Sequence, residues 1–310
     1  MNALVISTSS FDIDNNPPLQ HLLQNGLQII TNPHRRKLTE DEIIELLNGG
    51  AIGLIAGIEP LTERVFQSAK NLKVISRCGA GMDSVDLAAA KNHGITVLNT
   101  PEAPAQAVAE LTMGFILSLL RQINPIDHAV RKGEWPRTQG RLLAAQTVGI
   151  IGLGHIGRRV ARLCQAFEAT VIAHDPYTSQ TPADIMLLPL EQLLATTDII
   201  TLHLPYSPDT HHLLDAKAFA MMKPEAIVIN AARGGLVHEN ALAEALKTGK
   251  LAAAALDVFE QEPYQGPLLE LGNVTITSHV GSLARESRQR MEIEAAENLL
   301  QGLIKTGAIK

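Results

Sequence analysis

The run Thr147-Val148-Gly149-Ile150-Ile151-Gly152-Leu153-Gly154-His155-Ile156-Gly157 constrains this chain more than any other stretch. Residues 147–151 form a short apolar run of the kind that makes a buried strand. The run ends in Gly-x-Gly-x-x-Gly, at Gly152, Gly154 and Gly157. Over 158–169 apolar residues recur at helical spacing: Val160, Ala161, Leu163, Cys164 and Phe167. The glycines therefore fall at a strand-to-helix turn, the setting a dinucleotide fingerprint requires. There Gly152 permits the tight turn, Gly154 lets the backbone approach a pyrophosphate, and Gly157 lets helix and strand pack closely. The helix start, at His155 and Ile156, offers N–H groups and a partial positive charge to phosphates. A second strand over 169–174 runs into Asp175, about 20 residues beyond the glycines, where an acid accepts the adenine-ribose hydroxyls. Such an acid would repel the 2′-phosphate of NADP, so NAD is the expected cofactor. Two plainer readings stand beside this one. The glycines could make a tight turn in an ordinary α/β protein, and Asp175 could only cap the turn before Pro176.

A length of 310 residues suggests about two domains, and 45% hydrophobic residues are ample for real cores. The net charge of −6 gives no reason to expect nucleic acid or an acidic membrane as partner. The start, Met1-Asn2-Ala3-Leu4-Val5-Ile6, lacks a signal-peptide pattern, and the most apolar later stretch, 111–120, is too short to span a bilayer. Cys78 and Cys164 lie far apart and make no disulfide framework. Cys164 reads as core, and Cys78 as a passive thiol rather than a nucleophile. The expectation is a soluble, cytoplasmic protein with no metal site.

Strand-like runs at 3–7, 27–31, 52–56 and 73–76 alternate with helices near 19–25, 39–47 and 62–69. Thr39 can cap the second of these helices while Glu42 reaches back, a capping box. The alternation implies a parallel sheet covered on both faces, a first α/β domain that is over by about residue 99. After its fourth strand comes Arg77-Cys78-Gly79-Ala80-Gly81-Met82-Asp83. Small residues there allow N–H groups to converge on an anion, at the strand ends where such sheets bind ligands. Arg77 adds a cation. A plain turn and a solvated surface charge are the alternatives. A helix over 105–121 is apolar nearly all round, which suits burial between domains or subunits, or an ordinary core. Residues 131–141, with the only tryptophan, Trp135, read as an exposed arm. Later strands are expected at 198–202, 226–230, 251–256 and 274–277, with helices at 190–196, 239–248 and 284–301.

Three polar residues sit just past late strands: Arg233, Glu262 and His279. Oxidation of a secondary alcohol by hydride transfer needs a base for the hydroxyl proton, and histidine works in both directions near neutral pH. A neighbouring carboxylate, Glu262, would fix the tautomer and favour the imidazolium. An arginine, Arg233, would present a rigid fork to a substrate carboxylate. Singly, each residue could equally be a surface charge, a loop acid or a satisfied buried histidine, and sequence alone does not bring them together.

With these residues in view, the chain resembles the D-2-hydroxyacid dehydrogenase superfamily, near its phosphoglycerate dehydrogenase-like members. The matching pieces are Arg77 to Leu87, the Gly152 fingerprint, Asn230-Ala231-Ala232-Arg233-Gly234, Ala255 to Glu260 with Glu262-Pro263, and His279-Val280-Gly281-Ser282. The resemblance implies two Rossmann/flavodoxin-like parallel-sheet domains. An NAD-binding domain, 100–282, would be inserted into a substrate-binding domain made of 1–99 and 283–310. The active site would lie in the cleft between them, and closure would exclude water. Arg233, Glu262 and His279 match the family's catalytic residues, Ala80 and Gly81 the loop that meets the substrate carboxylate, and Asp257 the acid near the nicotinamide carboxamide. Ala231 and Gly281 complete the implied cofactor contacts. Family members are commonly homodimers, which would account for helix 105–121 and the arm. An arginine matching Arg77 meets the substrate phosphate in phosphoglycerate dehydrogenases, so 3-phosphoglycerate is the leading substrate. A glyoxylate or hydroxypyruvate reductase is the alternative, and an NADH-sensing corepressor the alternative of another class. Glu262 disfavours formate, because formate dehydrogenases carry glutamine there.

Three departures from the family pattern stand out. Many relatives have two glycines where this chain has Gly281 followed by Ser282. Many have aspartate at His238, and losing that helix cap costs about 1 kcal/mol unless another residue serves. The chain stops at Lys310, so serine feedback through a C-terminal regulatory domain is not expected.

Overall fold

The computed structural model describes residues 3–178 and 185–309. Met1, Asn2 and Lys310, where the expected domains begin and end, lie outside the described residues. The chain divides into two compact units, Ala105–Gly281 being inserted between Met1–Pro104 and Ser282–Lys310.

The discontinuous unit is built on β1 (Ala3–Ile6), β2 (Gln28–Thr31), β3 (Ala51–Ala56), β4 (Val74–Arg77) and β5 (Thr96–Asn99). The five strands form one sheet in the order β2-β1-β3-β4-β5, and every pair is parallel. Its helices are α1 (Pro17–Gln24), α2 (Glu40–Leu47), α3 (Glu63–Ser68), α4 (Leu87–Asn92) and the last helix of the chain, Arg285–Lys305. One face buries Ile43, Leu47, Val65 and Phe66 against Leu54 and Ile75. The other buries Leu19, Leu22, Leu299 and Leu303 against Leu4 and Ile55. Each such fully buried aliphatic side chain stabilises the unit by about 2 kcal/mol through removal from water. The capping box forms: Thr39 Oγ1 accepts the Glu42 N–H at 3.3 Å, and Glu42 accepts the Thr39 N–H at 2.8 Å. Helix α4 and strand β5 were not expected from the sequence. Half of α4 is alanine and no residue of β5 is fully buried, so neither carries a marked apolar pattern.

The inserted unit opens with α5 (Ala105–Arg121) and α6 (Ile123–Arg131). It continues through β6 (Thr147–Ile151), α7 (His155–Ala166), β7 (Thr170–His174), β8 (Met186–Leu187), α8 (Leu190–Thr196), β9 (Ile199–Leu202), α9 (Ala216–Met221), β10 (Ala226–Asn230), α10 (Glu239–Lys247), β11 (Leu251–Leu256) and β12 (Val274–Ile276). The helix Arg285–Lys305 is α11. The seven strands form a parallel sheet in the order β12-β11-β10-β9-β6-β7-β8. The order reverses between β6 and β9, the switch point at which doubly wound sheets bind nucleotides. Helix α5 packs as a core helix here. Met113, Phe115, Ile116 and Leu120 bury against Val148, Ile150, Val160 and Cys164. On the other face Phe219, Leu242 and Leu246 meet Ile200, Leu202 and Val228. Helix α6, which has no buried residue, was also not expected. Pro125 lies in its first turn, where a proline costs no hydrogen bond. No helix among the described residues is long and apolar enough to cross a membrane.

The cap of α10 survives the missing aspartate. His238 Nδ1 accepts the Ala241 N–H at 3.2 Å, so the imidazole itself is the acceptor and its proton sits on Nε2. His238→Ala should therefore lower stability by about 1 kcal/mol, and His238→Asp should restore it, as read by chemical denaturation at neutral pH.

Candidate active site

Strand β6 ends at Ile151 and α7 starts at His155, so three residues make the turn between them. Gly152 has φ +93°, and a Cβ there would lie 2.5 Å from the His203 carbonyl oxygen at the end of β9. A Cβ at Gly157 would lie 2.0 Å from the Gly152 carbonyl oxygen. Both glycines are thus demanded by packing. Gly154 is different: it is exposed, and a Cβ there would meet nothing within 4 Å. The protein leaves open the space in front of it, and no side chain caps the N-terminus of α7. This cradle fits a pyrophosphate, with the N–H groups at His155 and Ile156 facing its charge. Asp175 stitches the turn together. Its Oδ2 accepts the Leu153 N–H at 2.8 Å and its Oδ1 the Tyr177 N–H at 2.9 Å. The turn-cap reading of Asp175 is therefore correct as far as it goes. Each carboxylate oxygen still keeps a lone pair for a ribose hydroxyl. His203, beside the turn, is buried, and burial pushes its imidazole down to about 3. It stays neutral and bonds Thr201 Oγ1 through Nε2 at 2.9 Å.

Strands β10, β11 and β12 are neighbours, and Arg233, Glu262 and His279 follow their carboxyl ends. His279 Nδ1 lies 2.9 Å and 3.1 Å from the two carboxylate oxygens of Glu262. Glu262 Oε1 also accepts the Phe259 N–H at 3.1 Å. A carboxylate can only accept, so the Nδ1 proton belongs to this contact and Nε2 is left to a reactant. His279 has φ +58°, a conformation that costs a non-glycine residue on the order of 1 kcal/mol.

Asp257 holds that strain in place. It is 1% exposed, and its carboxylate accepts the Val280 N–H at 2.8 Å, the Gly281 N–H at 2.7 Å and the Thr277 hydroxyl at 2.5 Å. A Cβ at Gly281 would come within 2.9 Å of the same carboxylate, so the retained glycine is the one this contact needs.

The Arg233 loop is organised by Asn230. Its amide donates to the Arg233 carbonyl at 2.8 Å and accepts the Ala232 N–H at 3.1 Å. The loop presses on the segment bearing Glu262, since a Cβ at Gly234 would sit 1.9 Å from the Phe259 carbonyl carbon. Ala231, at the start of the loop, is buried. The Arg233 guanidinium is half-buried and donates to the Ala232 carbonyl at 2.6 Å.

In the other unit, Arg77 closes β4 and its guanidinium donates to the Cys78 carbonyl. Thr100 Oγ1 accepts the Gly79 N–H at 2.8 Å, and the Asn99 amide donates to the Ala80 carbonyl at 2.8 Å, which fixes the loop that carries Ala80 and Gly81. Burial pushes the Cys78 thiol up to about 11 and that of Cys164 to about 12, so both stay thiols. Among the described residues no group of three or more His, Cys, Asp or Glu could hold a metal ion. Sequence reasoning passed over Thr277, Asn99 and Thr100. Their side chains meet their partners only once the strands are paired, and nothing in their local sequence marks them.

The family profile described as "D-isomer specific 2-hydroxyacid dehydrogenase, NAD binding domain" matches residues 113–281. The chain is 41% identical over 269 residues to a D-3-phosphoglycerate dehydrogenase of Methanocaldococcus jannaschii, an alignment covering 84% of this chain and 51% of that one. It is 37% identical over 289 residues to a hydroxypyruvate reductase of Thermotoga maritima, covering 91% and 94%. A crystal structure of D-lactate dehydrogenase from Aquifex aeolicus, complexed with NAD and lactic acid, matches with a TM-score of 0.83 at 29% identity, covering 98% of this chain and 96% of that one. The chain belongs to the D-isomer-specific 2-hydroxyacid dehydrogenase family, and its inserted unit is that family's NAD-binding domain. It spans about half the length of the curated phosphoglycerate dehydrogenases it matches.

The glycines separate in a simple test. Gly157→Ala should cost about 2 kcal/mol or more by overpacking. Gly154→Ala should melt with the parent yet bind NADH more weakly, as followed by NADH fluorescence.

Proposed function

We propose that the chain is an NAD-dependent oxidoreductase that interconverts a D-2-hydroxy acid and its 2-oxo acid. The observation that carries this reading is the Glu262–His279 pair, 2.9 Å apart, raised on the same sheet as the glycine turn. Bound NAD supplies a hydride acceptor, and NADH the corresponding donor. His279 Nε2 takes the hydroxyl proton as the alcohol is oxidised and returns it to the carbonyl oxygen on reduction. Its Nδ1 proton remains with Glu262 throughout. A positioned base of this kind contributes about 10²–10⁴-fold to the rate. Arg233 grips the substrate carboxylate as a planar fork. Gly154 and the N–H groups at His155 and Ile156 hold the pyrophosphate in a turn that Gly152 and Gly157 allow to pack, and Asp175 holds the ribose. Asp257 spends three of its roughly four acceptor sites on the 277–281 turn. The fourth is assigned to the carboxamide, flanked by Ala231 and Gly281. Arg77, Ala80 and Gly81 are assigned to the acid itself, with 3-phosphoglycerate the leading substrate. Hydroxypyruvate reduction is the second reading, favoured by the near full-length match to the Thermotoga maritima enzyme.

A homodimer and a cytoplasmic location belong to the same proposal. Helix α6 and the segment after it expose the apolar side chains of Ile123, Val130, Trp135 and Leu142, which a second copy would cover. Two buried, unpaired thiols suit a reducing compartment.

A panel of 2-oxoacids with NADH and NADPH, followed by absorbance, should show turnover with NADH. His279→Ala should cut kcat by about 10²–10⁴-fold with NADH affinity unchanged, while Arg233→Ala should also raise KM for the oxoacid. Parent-like turnover by His279→Ala would remove it as the base. Sedimentation should give a dimer that Trp135→Glu with Ile123→Glu converts to monomer.

A further inference from the structure

The five-stranded sheet contains an acid that the chemistry above does not use. Its strand order reverses at β1 and β3, the position at which a flavodoxin-like sheet receives its ligand. Ser7 follows β1, Gly57 to Glu59 follow β3, and Arg77 closes β4, so three adjacent strand ends present these groups together. Glu59 is 1% exposed. Its Oε1 meets the Ser7 hydroxyl and, at 3.2 Å, the Gly57 N–H. Its Oε2 occupies the space a side chain at residue 57 would take, because a Cβ there would lie 2.9 Å away. The guanidinium of Arg77 fills the corresponding space over Gly79. Two glycines thus make room for an acid and a base.

Proton counting shows that the acid has two usable states. Ser7 Oγ lies 3.1 Å from the Ile55 carbonyl and accepts the Gly57 N–H at 3.1 Å. The hydroxyl has one proton. If that proton goes to Ile55, which can only accept, the Ser7–Glu59 contact needs a proton from a neutral carboxylic acid. If Glu59 is ionised, Ser7 turns its proton to the carboxylate and releases Ile55. Burial raises Glu59 above the ordinary carboxylate range, against the pull of Ser7, the backbone N–H groups and the charge of Arg77. Arg77 is the charged group that bears on it.

We propose that Glu59 is a specificity-determining residue that sets which distal group the Arg77 loop accepts. Ionised, it cancels the arginine's charge and turns away a phosphate; protonated, it leaves that charge to a phosphorylated acid. Binding of the phosphorylated substrate therefore takes up a proton from solvent. The inference rests on the reading that Arg77 meets the substrate's distal group.

The test compares kcat/KM for 3-phosphoglycerate and for D-glycerate from pH 4.5, the ordinary carboxylate value, upward to pH 9, in the parent, Glu59→Gln and Arg77→Ala. Dividing the parent's substrate ratio by that of Glu59→Gln at each pH removes the titration of the phosphate itself. That quotient should fall about tenfold as pH rises, the size of effect one nearby charge exerts at a partly buried site. Calorimetry of 3-phosphoglycerate binding, in buffers of different ionisation enthalpy, should report more proton uptake in the parent than in Glu59→Gln, the difference removing the contribution of the phosphate itself. A quotient independent of pH, or no more proton uptake in the parent than in Glu59→Gln, would overturn the role of Glu59 while leaving Arg77 in place if Arg77→Ala loses the preference for phosphate. An unchanged preference in Arg77→Ala, or no binding of 3-phosphoglycerate, would overturn both.

Discussion

A carboxylate withdrawn from water must be met by donors or give up its charge, and Asp257 meets that requirement with a single turn. The Thr277 hydroxyl and the N–H groups of Val280 and Gly281 all converge on it. Between them stands His279, whose positive φ would relax if those bonds were lost. The geometry of the His279 imidazole is therefore set by a neighbour that does not bond to it. Glu262 completes the arrangement from the other side, itself steadied by the Phe259 N–H. A histidine on a loop would ordinarily sample many positions. Here the loop is tied at both flanks to one buried acid.

The two sheets solve the same problem in different ways. In the seven-stranded sheet the reversal of strand order between β6 and β9 opens a space, and Gly154 keeps it clear. Its neighbours in the fingerprint do the opposite job, since Gly152 and Gly157 are needed where backbone presses on backbone. In the five-stranded sheet the reversal lies between β1 and β3 and is filled by Glu59, Ser7 and Gly57. One switch point presents a helix start with open space before it, and the other holds a buried acid that feels the charge of Arg77.

Much of this is legible in the sequence. The glycine spacing placed a strand, a turn and a helix correctly, and the Thr39–Glu42 box formed as its residue types require. The bounds of α5 followed from its apolar pattern. The expectation of two parallel-sheet α/β domains, one inserted in the other, agrees with the fold. What the sequence left hidden depends on strand order. Glu262 and His279 are 17 residues apart and meet only because β12 returns beside β11. Glu59, before Pro60, looks like a loop acid until β1 and β3 are known to be neighbours. Helix α6 buries no residue, so no core-facing pattern marks it.

The beginning and the end of the inserted unit lie side by side. Val108, in the first turn of α5, stands against Gly281, the unit's final residue, and a Cβ on that glycine would come within 3.4 Å of it. A domain whose chain enters and leaves at one spot can be excised, or exchanged with that of a cousin, at the cost of two short splices. The NAD-binding unit of this protein is therefore a cassette, and cofactor preference could be transplanted without redesigning the five-stranded unit.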